Sequence, residues 1–345
     1  MLLSDKESKI LNRIQRDFPL IADPFSEISD EVSMREDDFL RSVQKLKKAG
    51  IVRNMSGIFN AGRLGYVSCL VAFRVNDGDL YRAAAVINAH PGVSHNYQRK
   101  HAYNVWFTLA ADSREKLEHA IQVLADRTGA SDYLLLWNEK LLKIGVMLAI
   151  GEDREHDNSC GQSDEPAGVP SEPMLSDNEK ESIRLLQMDL PLEKNPFAAL
   201  IASSGSFLDL DSFLNDSRRF KRDGILRRYS AVLRHREAGY RSNAMTVWKP
   251  DPGADMKQIA EIFHKNRMIS HLYLRTVYPG RWEYPLFAMI HAHTDEELNG
   301  IIDNLARESG IRRYEVLPTV KEFKKERVLY FSAQFNEWEL QAGLW

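Results

Sequence analysis

The chain has 345 residues, 43% hydrophobic and 28% charged, with a formal net charge of −3 and a sequence pI near 6.4. That length predicts two or three globular domains, and the balanced charge gives no bulk electrostatic case for nucleic acid or an anionic membrane. Two cysteines make no disulfide framework, the N-terminus lacks an apolar signal core, and no run approaches the ~18 apolar residues of a membrane span, so a cytoplasmic, soluble protein is expected.

In chain order, "DKESKILNRIQRD" predicts a helix over 5–17, stopped by Asp17-Phe18-Pro19. Short helices follow around 24–32 and 35–49, the second with Phe39, Leu40, Val43 and Leu46 on one face and Gly50 as its stop. "IVRNMSGIFN" reads as a small hairpin, which makes residues 1–62 a winged helix-turn-helix. Then come strand 66–75, helix 79–89, strands 92–100 and 103–110, helix 113–127 and strand 131–139. This βαββαβ order over 63–150 is the ferredoxin-like plan, an antiparallel sheet with both helices on one face. Its second strand is expected at a sheet edge, with one sheet face free for a ligand or partner.

The plan is used twice. "IQRDFPLIADPF" (14–25) returns as "LQMDLPLEKNPF" (186–197), "GIVRNMSGIFNAGRLGY" (50–66) as "GILRRYSAVLRHREAGY" (224–240), and "VSHNYQR" (93–99) as "ISHLYLR" (269–275). Residues 151–175 between the copies are rich in acid, Gly, Ser and Pro and read as a flexible linker. The second copy divides into a winged helix-turn-helix over 176–236 and a ferredoxin-like domain over 237–330, with a tail at 331–345. The fold class is therefore α+β in tandem. The two sheets are expected to pack together as a pseudo-dimer with a pocket between them.

"GVSHNYQRKHAYNVWF" (92–107) carries the chemistry. Period-two reading puts His95, Tyr97, Arg99 and His101 on one strand face, and the second copy repeats the pattern as His271, Tyr273 and Arg275. Arg grips carboxylates bidentately, and His exchanges protons near neutral pH. Such a face suits an aromatic ligand with many carboxylates. His119 and His264 fall off the apolar helix faces and are expected at the surface, His90 at a helix end, and His291-x-His293 is too isolated for a metal site. No zinc spacing, P-loop, nucleophile elbow or dinucleotide fingerprint is present. The recognition-helix turns, with Glu36, Asp37 and Asp38 in one copy and Asp209 and Asp211 in the other, would repel DNA phosphate.

With these motifs the first copy's "VSHNYQRKHAYNVWFTL" resembles one subunit type of the siroheme decarboxylases, built on the Lrp/AsnC plan. The second copy's "REAGYRSNAMTVW" and "ISHLYLRTVYPGRWEYPLFAMIH" resemble the partner subunit type. The resemblance implies a fusion of the two, acting in d-type haem biosynthesis to remove two acetate carboxylates of siroheme and give 12,18-didecarboxysiroheme. It implies no organic cofactor, since the iron belongs to the substrate, although a histidine could ligate that iron. The expected acids are His95, Tyr97, His101, His271 and Tyr273. The expected substrate contacts are Asn96, Arg99, Tyr103, Trp106, Arg275, Trp282, Tyr284 and His291. Expected partners are siroheme, its product, and further copies or related decarboxylase subunits, not DNA or a membrane. The alternatives are a tandem Lrp-like DNA-binding regulator that senses a small ligand, which predicts salt-sensitive DNA affinity, and a tetrapyrrole carrier, which predicts binding without product.

Overall fold

The computed structural model describes residues 4–144, 175–233 and 242–343. The expected linker and the "REAGYR" part of the second motif fall almost wholly outside these residues. The first repeat runs α1 (Asp5–Ile14), α2 (Pro24–Glu31), α3 (Glu36–Lys48), β1 (Val52–Phe59), β2 (Val67–Arg74), α4 (Leu80–Asn88), β3 (Val93–Arg99), β4 (Val105–Ala111), α5 (Arg114–Thr128) and β5 (Asp132–Ile144). The second runs α6 (Asp177–Gln187), α7 (Pro196–Ser204), α8 (Leu210–Arg222), β6 (Leu226–Leu233), β7 (Ser242–Lys249), α9 (Met256–Lys265), β8 (Ile269–Arg275), β9 (Leu286–Ala292), α10 (Asp295–Ser309) and β10 (Arg313–Lys325). Local chemistry explains the helix starts: Ser4 with Glu7 and Ser176 with Glu179 form capping boxes at equivalent places.

The expected wing hairpin is not formed. Residues 52–59 make one strand, which pairs antiparallel with β6 of the other repeat as a two-stranded ribbon. The repeated Asp-aromatic/aliphatic-Pro motif explains why. Asp17 accepts from the Tyr229 amide at 3.1 Å, and Asp189 accepts from the Met55 amide at 3.0 Å. Phe18 and Leu190 donate their amides to the carbonyls of the same residues, Tyr229 and Met55. Each helix end thus docks on the other repeat's strand. A single core joins both helical domains, with Phe25, Phe39, Phe197, Phe213 and Tyr229 fully buried.

The ferredoxin-like order is present in both repeats, as β3-β4-β2-β5 and β8-β9-β7-β10. The edges are not free. The last strand of each repeat pairs with the second strand of the other, β10 on β3 and β5 on β8, closing an eight-stranded antiparallel barrel. Closure satisfies the edge amides that an open sheet would expose. The register repeats too: Arg99 faces Thr319 and Arg275 faces Asn138. Arg99 Nη1 donates to the Leu317 carbonyl at 2.6 Å and the Thr319 hydroxyl at 3.1 Å, while Arg275 Nη1 donates to the Leu136 carbonyl at 2.9 Å. Two lysines add matching clasps at helix C-termini. Lys324 donates to the Asn88 carbonyl, and Lys143 donates to those of His264 and Asn266.

Residues 331–345, expected as a tail, include helix α11 (Ala333–Ala342). Its Trp338 packs on the His90 ring at 4.0 Å between centroids. His90 lies just past the end of α4, as expected, and is buried there, its Nδ1 accepting from the Gly92 amide at 2.9 Å. A Cβ at Gly92 would strike the Ala110 carbonyl, so this turn requires glycine. His119 and His264 are exposed, as expected. Replacing Arg99 or Arg275 by Ala is expected to lower unfolding stability by about 2–4 kcal/mol, through lost charge-assisted bonds and stranded carbonyls. Urea denaturation of each variant measures it.

Candidate functional site

Because every neighbouring pair in the barrel is antiparallel, β3 and β8, four places apart in the ring, run in the same direction. Their side chains therefore form matching layers along the lumen. The helices cover the other face of each sheet, where Phe73, Phe107, Trp248 and Phe263 pack.

The imidazole layer comes first. A β-bulge at Ser94 turns His95 inward, and one at Ser270 does the same for His271. Ser94 Oγ lies 2.9 Å from His95 Nδ1, and Ser270 Oγ lies 2.8 Å from His271 Nδ1. Ser270 is also 2.7 Å from His291 Nε2, so His291 joins this layer from β9. Burial, then Lys325 and Arg53, push the His95 imidazole below its usual range against the pull of Glu322. His271 is pushed down to about 4 by burial, then by His291, His95 and Arg275. Both rings are therefore neutral near pH 7.

The phenol layer follows. Tyr97 lies 6.2 Å from the His95 ring and Tyr273 6.2 Å from the His271 ring, both near-parallel. Burial, then Glu322, raises the Tyr97 hydroxyl to about 12. Below them sit the guanidiniums, Arg99 at 5.4 Å from the Tyr97 ring and Arg275 at 4.6 Å from that of Tyr273. Burial lowers Arg99 to about 10, still fully charged at neutral pH. The buried Nε of each arginine has no hydrogen-bond partner among the described residues.

An aromatic plug closes this end. His101 is not on the strand with His95. β3 ends at Arg99, and the chain bends before Tyr103. The two bands of Tyr and Arg therefore separate His101 from His95 and His271. His101 Nδ1 accepts from the Tyr103 amide at 3.0 Å, and its Nε2 faces Glu315 at 3.4 Å. Its ring sits among Tyr103, Trp106 and Trp282. Trp282 comes from the five-residue insertion of the second repeat and packs on Trp106 at 5.4 Å. Tyr284 donates to Glu315 at 2.6 Å, and Tyr103 donates to Asp132, which also holds Arg281. Glu283 pairs with Lys249 at 2.6 Å.

Of the expected site residues, the barrel thus gathers His95, Tyr97, Arg99, His271, Tyr273, Arg275 and His291 on its inner face, with Tyr103, Trp106, Trp282, Tyr284 and His101 at one end. Asn96 is the exception. It is fully buried and turns away from the lumen to donate to Asn88 on α4 at 2.9 Å. Past its bulge, β3 turns its even-numbered positions to the helices, so the alternation itself carried that signal. Sequence reading missed Ser94 and Ser270, whose bulges shift the period-two pattern by one residue. Near the imidazole end, a cavity of about 370 Å³ opens between the ribbon and β10, lined by Arg53, Asn88, Lys324 and Lys325 among others.

Two family models match. One, an AsnC-like ligand binding domain, covers residues 63–143 and 237–324, and a siroheme decarboxylase NirDL-like HTH domain covers 7–53. A siroheme decarboxylase of Hydrogenobacter thermophilus is 36% identical over 337 residues, 97% of this chain and 98% of that protein. The siroheme decarboxylase beta subunit of Oleidesulfovibrio alaskensis is 35% identical over 157 residues, 46% of this chain and 98% of its own length. The crystal structure of the siroheme decarboxylase NirDL in complex with an iron-uroporphyrin III analogue superposes with a TM-score of 0.77 at 32% identity, covering 99% of this chain and 100% of that one.

A histidine whose folded pKa is depressed leaves the unfolded chain binding more protons between the two values. Stability is then complete above pH 6.5 and falls as pH drops towards 4. His90, pushed down to about 3 by burial and then Lys324, acts in the same direction. Denaturation midpoints are expected to fall across this window, and His271→Asn to flatten the slope.

Proposed function

The chain belongs to the siroheme decarboxylase family, and from that membership we propose that it removes two acetate carboxylates of siroheme as carbon dioxide, giving 12,18-didecarboxysiroheme on the way to a d-type or alternative haem. The observation that carries this reading is the pair of His-Tyr-Arg ladders facing one another across the barrel. A polycarboxylate macrocycle presents anionic arms around an apolar conjugated plane. Guanidiniums suit the arms, phenols and imidazoles the reacting edge, and indoles the plane.

Each turnover of an acetate arm breaks the bond between methylene and carboxylate. The electron pair enters the conjugated macrocycle, and the methylene takes one proton to become methyl. The macrocycle is the electron sink in this scheme, so no organic cofactor takes part. The proton comes from the imidazole layer, from the N–H of a neutral His95 or His271 whose other nitrogen takes up a proton as it gives, with Tyr97 and Tyr273 beside them. A well-placed acid contributes about 10²–10⁴-fold. Arg99 and Arg275 orient carboxylates through guanidinium N–H donors that the barrel clasps leave unused. Tyr103, Trp106, Trp282 and Tyr284 bound the plane, and His101 holds that boundary through Tyr103 and Glu315.

We place the enzyme in the cytoplasm, where the buried Cys69 stays reduced. Among the described residues no helix is long and apolar enough to cross a membrane. The regulator reading is weakened because β1 and β6, which would be wings, are consumed in pairing with each other. Subunit relatives that match about half of this chain suggest that each repeat stands for one subunit, with siroheme bound by the pair.

Anaerobic incubation with siroheme followed by mass analysis is expected to show loss of two carbon dioxide units. Unchanged pigment would sink the proposal. His271→Gln is expected to lower turnover by roughly 10²-fold with siroheme affinity kept. His101→Ala is expected to weaken affinity more than turnover.

A further inference from the structure

Ser270 is 1% exposed and stands at the bulge that opens β8. Its hydroxyl is shared by two imidazoles, 2.8 Å from His271 Nδ1 and 2.7 Å from His291 Nε2. A hydroxyl has one proton to give. When it donates to one ring, the other ring must donate to it. The protonation of His271 Nδ1 and His291 Nε2 is therefore coupled through Ser270.

The first repeat has only half of this unit. Ser94 bonds His95 Nδ1 at 2.9 Å, but Ala110 stands at the position of His291. A second ring is needed only if the first must be resupplied, because a serine alone suffices to orient it. His291 is half-buried and so within reach of solvent protons, and His271 Nε2, on the far side of the ring from Ser270, is the nitrogen left for the lumen.

We propose that Ser270 and His291 form the proton-supply line of His271. The claim rests on the decarboxylation reading above. His271 Nε2–H gives its proton to the methylene carbon as the new C–H bond forms. The Ser270 hydroxyl proton moves to His271 Nδ1, and the Nε2 proton of a His291 imidazolium moves to Ser270 Oγ. His291 ends neutral and regains a proton from water, so charge and protons balance for each carbon dioxide lost. Ser270 is a positioning residue in this scheme. The groups facing His271 are His291 on β9, His95 across the lumen, and Tyr273 and Arg275 on its own strand. β5 places Ile144 opposite it.

The test uses the full chain, with Ser270→Ala, Ser270→Thr and His291→Gln. In substrate-free protein labelled with ¹⁵N-histidine, Ser270→Ala is expected to change the ring-nitrogen shifts of both His271 and His291, and Ser270→Thr to keep them. In anaerobic decarboxylation, Ser270→Ala and His291→Gln are each expected to lower kcat roughly ten-fold or more with KM within about two-fold. The double variant should be no slower than either single one, and Ser270→Thr should recover the rate. Wild-type protein that releases no carbon dioxide overturns the decarboxylation reading. An active wild type with Ser270→Ala at full kcat, or with both rings unmoved in that variant, overturns the supply line alone.

Discussion

A four-stranded antiparallel sheet has two edges, and unpaired amides at an edge must find water or a partner. In this protein the partner for each repeat is the other. β10 closes the β3 edge and β5 closes the β8 edge. Everything else is arranged on that exchange. The inward faces become a lumen, the matching arginines find carbonyls on the borrowed strand, and Lys324 and Lys143 reach the helix ends that flank the seam. The helical domains follow the same logic, since each Asp-Pro turn docks on the strand contributed by the other repeat.

On this near-symmetric frame the contents differ. The His-Tyr-Arg ladders are common to both repeats, so they belong to what both must do: face a large anionic, conjugated ligand. Among the features that are not shared, three shape the two ends of the barrel. His101 has Val277 as its counterpart, His291 has Ala110, and the insertion carrying Trp282 is present only in the second repeat. The insertion fills one end of the barrel with indole, and His291 enriches the other end in imidazole. The lumen is therefore polar along its axis, which gives a flat asymmetric ligand a preferred orientation.

Much of this was legible in the sequence, and the failures have definite causes. The repeat gave both domain plans, because βαββαβ order and helix periodicity are local patterns. The ladder residues were legible because alternation along a strand is also local. Strand partners are not. Val52–Phe59 has the pattern of a wing strand whether it folds back or pairs with residues far along the chain, and only the tertiary fold decides. His101 was misplaced because a strand was extended two residues beyond the turn that ends it. Ser94 and Ser270 stayed hidden because a bulge leaves no residue-type signature of its own. Asn96, by contrast, followed its parity to the helix face.

The exchange of strands also sets the order in which the molecule can be assembled. Arg99 and its partner Thr319 are 220 residues apart, so the β3 edge of the first sheet cannot be closed until nearly the whole chain exists. Contacts so distant in sequence close slowly, and a nascent first repeat must wait on the ribosome with a bare hydrogen-bonding edge. During that interval the edge of one molecule is complementary to the late strand of another. Joining both halves in a single polypeptide raises the local concentration of the correct strand over that of any neighbour, and so turns a bimolecular search into an intramolecular one.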